Sequence, residues 1–153
     1  MNPDLAVAGF CTVFDEPSVD GRPAERREDY ELFPDFFNEL PLRVDHHLIV
    51  TSFGAYNAGK VSRFAIVDGV PPVPYGVLCL AFCDQSSIGR SVFEAVARGD
   101  LWAFSLGGNG TAEVSLTGRP AYTNCRVVGW GTDALRAWEL LTQTAPEDAG
   151  RRS

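Results

Sequence analysis

The longest apolar run in the chain, residues 77–83 (Val-Leu-Cys-Leu-Ala-Phe-Cys), sets the first limit on its fold. A helix crossing a bilayer needs about 20 apolar residues in a row, and this run falls far short. Its length instead suits a largely buried strand over residues 76–83. Cys79 and Cys83 stand at even spacing within it and therefore share one face. With Cys11 and Cys125 they complete a set of four cysteines. These form no Cys-x-x-Cys pair and no zinc-type spacing with the two histidines, so buried, reduced thiols are expected.

Other short strands surround this one. Residues 5–14 are rich in β-formers, residues 42–52 read as extended, and residues 61–68 make a further strand beyond a turn around 54–59. Pro71, Pro72 and Pro74 break the chain next. Two strands flank a glycine-rich turn at 107–110, and residues 126–130 suit a last one. Helical signals are fewer. Tyr30, Phe33, Phe36 and Phe37 suit a short helix within 30–40 that begins near Pro34. The clearest helix is capped by Ser86 or Ser87, presents Val92, Phe93 and Val96 on one face, and stops at Gly99. A last helix is expected over 132–142, with Leu135, Trp138 and Leu141 on one side. Residues 15–29, carrying Pro17, Gly21 and Pro23, read as an exposed loop, and 146–153 as a flexible, polar C-terminal tail. Many short strands with few helices predict an α+β fold, a small, mainly antiparallel β-barrel or sheet, in one domain over 1–145.

Composition narrows the partners. At 153 residues and 45% apolar content the chain can bury one substantial core. Its formal net charge of −7 argues against nucleic acid or an anionic membrane as partner, since both need a basic face. The N-terminus has no basic segment followed by an apolar core, so a soluble, intracellular protein is expected.

Three residue types then point to nucleophilic hydrolysis. Ser105 ends an apolar strand and precedes Gly107 and Gly108, whose backbone N–H groups could approach a reacting carbonyl. His46 and His47 are adjacent, and on an extended segment only one of them can serve a given site. Glu113 lies between Ala112 and Val114, where a carboxylate needs a partner and a histidine would supply one. Ser115 shares its strand face with Glu113 and competes with Ser105 as nucleophile. The residues alone leave both choices open.

Taken in order, these segments resemble the phage prohead proteases, capsid-maturation serine proteases related to the herpesvirus assemblins. The resemblance runs from about residue 6 to residue 128. It rests on the opening Ala-Gly-Phe-Cys-Thr-Val-Phe-Asp-Glu-Pro, the histidine after the apolar strand at 42–47, the helix leading to Ser-Leu-Gly at 105–107, and Glu113-Val114-Ser115-Leu116 with Pro120-Ala121 beyond. It implies Ser105 as nucleophile, His46 as general base and Glu113 as third member, with Arg119 a candidate support for the oxyanion. It further implies a small antiparallel barrel ringed by helices and no cofactor. The implied activity is cleavage of scaffolding segments of capsid proteins inside the assembling prohead in the host cytoplasm, often with self-cleavage. Its partners would be the major capsid or scaffold protein as substrate, with homo-oligomer formation left open. The chain departs from the family in having Val-Asp before His46 and a short connection, including Asn109-Gly110, between Ser105 and Glu113. These departures motivate an alternative, a catalytically inactive protease-fold protein serving capsid assembly. A weaker option is an unrelated small-molecule barrel.

Overall fold

The computed structural model describes residues 1–31, 39–70, 72–107 and 112–152. Among them are nine strands and three α-helices, preceded by a single 3-10 turn at Pro3–Leu5. In chain order the strands are β1 (Ala6–Val13), β2 (Leu40–Val44), β3 (Ile49–Thr51), β4 (Gly54–Tyr56), β5 (Gly59–Val67), β6 (Gly76–Cys83), β7 (Ala103–Gly107), β8 (Glu113–Thr117) and β9 (Val127–Trp130). The helices are α1 (Arg27–Glu31), α2 (Ser87–Ala97) and α3 (Thr132–Arg152).

Seven strands make one sheet in the order β7-β8-β2-β5-β6-β1-β9, and β3 pairs only with β4. The sheet curls until its ends meet. Phe104 N–H donates to Cys125 O at 2.8 Å, Val127 N–H donates to Trp102 O at 2.9 Å, and Phe10 N–H donates to Arg126 O at 3.1 Å. The stretch leading into β9 is therefore stitched to both β7 and β1, and the sheet is a nearly closed barrel. One pairing departs from the mainly antiparallel expectation: β2 runs parallel to β8, with Leu42, Arg43 and Val44 opposite Val114, Ser115 and Leu116. The sheet is mixed. A parallel neighbour requires a long crossover, and the whole stretch from β5 to β7 supplies it.

Burial explains why β6 is apolar throughout rather than alternating. Val77, Cys79 and Ala81 join the largest core cluster with Val7, Cys11, Val61 and Phe104. Leu80, from the opposite face, packs against Ala6, Ala8 and Ala134 with Leu135 and Trp138 of α3. A strand covered on both faces has no use for polar residues. Helix α2 is capped as its sequence implies: the Ser86 side chain accepts the Gly89 N–H at 3.2 Å, and Gly99 turns the chain out with a φ of +86°.

Three expectations need correction. The extended segment 42–52 is broken, because Asp45 and His46 take positive φ values and separate β2 from β3. Helix α1 starts at Arg27, inside the 15–29 stretch read as a loop; the helix expected from near Pro34 lies, with Phe33, Pro34, Phe36 and Phe37, outside the described residues. Helix α3 runs on to Arg152 rather than stopping at 142. The turn pair Asn109-Gly110 also lies outside the described residues.

Candidate active site

The site forms where β7, β8 and the end of β2 lie side by side. In the antiparallel β7–β8 pair, Ala103 faces Thr117, Ser105 faces Ser115, and Gly107 faces Glu113. Residues directly opposite share a face, so these six line one side of the ribbon. Phe104, Leu106, Val114 and Leu116 occupy the other side and enter the barrel core. The polar side is nonetheless buried: Ser105, Glu113, Ser115 and Thr117 are each at most 7% exposed. Buried polar groups of this kind require hydrogen-bond partners. The turn after β2 provides them.

That turn comprises residues 44–47. His47 N–H donates to Val44 O at 3.0 Å, and Asp45 and His46 have φ values of +50° and +66°. Positive φ at both central positions is the mark of a type I′ turn. Left-handed backbone costs an L-residue roughly 1–2 kcal/mol. Strand β8 holds the turn in that form. Asp45 N–H donates to Leu116 O at 3.1 Å, His46 N–H donates to Ser115 Oγ at 2.8 Å, and the Thr117 hydroxyl donates to Asp45 Oδ1 at 2.6 Å.

The turn projects the His46 imidazole between two strands. Its Nδ1 meets Glu113 Oε1, and its Nε2 stands 3.1 Å from Ser105 Oγ. The second Glu113 oxygen, Oε2, accepts the Ser115 hydroxyl at 2.8 Å. A carboxylate can accept from a proton on Nδ1, and in that tautomer the Nε2 lone pair faces the Ser105 hydroxyl. The result is a line from carboxylate to imidazole to hydroxyl. Such a line can raise the nucleophilicity of Ser105.

Several sequence expectations meet this geometry directly. The structure brings His46, Ser105 and Glu113 together. His47 is exposed and takes no part; because the two histidines occupy a tight turn, strand alternation is not what separates them. Ser115 lies away from Nε2, with both its bonds committed to Glu113 and to the His46 backbone. Arg119 is exposed and lines an open cleft of about 550 Å3 with His46, Asp45, Asp100, Leu101, Thr117 and Gly118; its own N–H is taken by Thr117 Oγ1 at 3.0 Å. Gly107, expected to let its backbone N–H approach a carbonyl, also leaves room for the Glu113 carboxylate. A Cβ there would overlap Glu113 Oε1 and lie 3.2 Å from His46 Nδ1. Its neighbour Gly108 lies outside the described residues.

Sequence reasoning missed the roles of Gly107 and Thr117 and the bonds of Ser115. One signal was available: Glu113, Ser115 and Thr117 alternate along one strand face, a polar stripe opposite apolar Val114 and Leu116. Among the described residues no group of three or more His, Cys, Asp or Glu side chains is arranged to hold a metal.

No family model matches the chain. Peptidase T of Aliivibrio salmonicida (strain LFI1238) is 29% identical over 94 residues, which is 55% of this chain and 23% of that protein. The chain thus spans less than a quarter of that relative's length. Solved structures that it resembles include crystal structures of Kaposi's sarcoma-associated herpesvirus protease. One, in complex with an allosteric inhibitor (compound 733), has a TM-score of 0.45 at 17% identity, covering 76% of this chain and 68% of that one. Another, in complex with a dimer disruptor, has a TM-score of 0.39 at 16% identity, covering 76% and 69%.

Proposed function

We propose that the chain is a serine endopeptidase of the capsid-maturation type. The observation that carries this is the array in which Glu113 orients His46 and His46 Nε2 faces Ser105 Oγ. Ser105 Oγ attacks the scissile carbonyl while His46 Nε2 takes its proton. Collapse of the tetrahedral adduct breaks the C–N bond, and His46 returns that proton to the leaving amine. A water then gives a proton to the same Nε2 and attacks the acyl carbon; the bond from that carbon to Ser105 Oγ breaks, Nε2 returns the proton to Oγ, and the acid leaves. Glu113 keeps the proton on Nδ1 and balances the imidazolium formed in each half-reaction.

Peptide bonds as the target, and phage capsid or scaffold proteins as the source of them, are what the resemblance to the prohead proteases implies. Action inside the assembling prohead, self-cleavage and homo-oligomer formation belong to the same proposal. The acidic net charge leaves nucleic acid without a basic face to bind.

A fluorophosphonate probe with peptide mass mapping tests the chemistry. A single adduct on Ser105 is expected, absent in Ser105→Ala and lost in His46→Ala. Labelling at another serine, or labelling of Ser105 that survives His46→Ala, overturns the assignment. No adduct, even with capsid precursor present, points instead to an inactive protease-fold assembly protein.

A further inference from the structure

Strand β8 does more than deliver Glu113. Its next residue on the same face, Ser115, is fully buried, and its hydroxyl makes two bonds to two different parts of the site. The single Ser115 proton goes to Glu113 Oε2 at 2.8 Å, and an Oγ lone pair accepts the His46 N–H at 2.8 Å. One oxygen atom thus joins the carboxylate to the backbone of the histidine that the carboxylate orients. His46 and the carboxylate are therefore tied twice, once through the ring Nδ1 and once from the backbone N–H through Ser115.

The backbone makes this second tie matter. His46 has a φ of +66° and follows Asp45 at +50°, a pair of left-handed residues with no glycine between them. Such a conformation persists only where its surroundings hold it. Ser115 bonds the His46 N–H itself, and Thr117 holds Asp45 from the next position along the same face. A shift of this turn swings the imidazole, since ring and backbone N–H belong to one residue.

We propose that Ser115 is a positioning residue of the site, fixing His46 and Glu113 relative to each other so that Nε2 meets Ser105 Oγ. This rests on the hydrolase reading above. Ser115 touches no reacting atom and acts only through its two partners. It gives the second serine of the polar stripe a task distinct from nucleophilic attack.

The test uses the full chain and the fluorophosphonate probe, with the rate constant for modification (kinact) measured separately from the probe's binding constant (KI). Ser115→Ala is expected to lower kinact about tenfold or more, with KI unchanged and one Ser105 still labelled per chain at long times. A substitution that merely unfolded part of the population would lower the labelled fraction instead. In a Glu113→Ala background, Ser115→Ala is expected to cost no more than about threefold further, because the carboxylate it positions is gone. A wild-type kinact in Ser115→Ala overturns the proposal, as do losses that multiply independently in the double variant. Wild-type protein unlabelled at Ser105 overturns the hydrolase reading and this role with it. Wild-type labelling with a silent Ser115→Ala removes only the role.

Discussion

Gly107 shows how one missing methyl group can govern the geometry of a side-chain array. It sits across the ribbon from Glu113, and the carboxylate folds over the bare Cα to reach His46 Nδ1. A Cβ there would occupy the place of Glu113 Oε1. Gly107→Ala should therefore displace the carboxylate and release the imidazole. A misplacement on the order of 1 Å costs about 100-fold in rate, and a loss of that size in fluorophosphonate labelling is expected, with the far-ultraviolet circular dichroism unchanged. Ser105 stood out in the sequence as a polar residue ending an apolar strand, and Glu113 as a carboxylate set between Ala112 and Val114. The role of Gly107 was not legible, since a glycine after a serine reads equally well as a turn or as a close approach of backbone to ligand.

Elements differ in how much of them lies in local sequence. Helix α2 is set by its own residues: a Ser86 cap, buried Val92 and Val96, and Gly99 in a left-handed exit. Ser86→Ala should cost about 1 kcal/mol through the lost bond to the Gly89 N–H, visible as a lower Tm with labelling kinetics unchanged. Strand β6 was equally plain, since its unbroken apolar run follows from cover on both faces. The pairing of β2 with β8 was not legible at all. No turn links them, and nothing near residue 42 announces a partner near residue 114. The break between β2 and β3 was hidden for a related reason. Asp and His tolerate left-handed backbone but do not demand it, and it is β8 that holds Asp45 and His46 there.

At the level of the whole molecule, the barrel and its covering helix bury all four cysteines as free thiols. Burial pushes the Cys83 thiol up to about 12, from an ordinary value of 9.0, with the Asp84 charge adding to the effect. Cys79 and Cys125 are raised in the same direction, chiefly by desolvation. A thiol that holds its proton more tightly when folded contributes stability fully present below pH 9. That contribution is lost as the pH rises through the folded value, because the unfolded chain ionises first. The urea midpoint should fall steadily between pH 9 and about 12, and an aromatic disulfide reagent at pH 8 should modify the four cysteines only after denaturation. The parallel β2–β8 pair has a consequence in time as well as in space. During synthesis His46 leaves the ribosome well before Ser105, and Glu113 follows last. Until β8 has emerged and docked against β2, the left-handed turn has no support and the imidazole has no carboxylate. The nascent chain therefore carries His46 and Ser105 without the array that joins them, and that array assembles only when the barrel is whole.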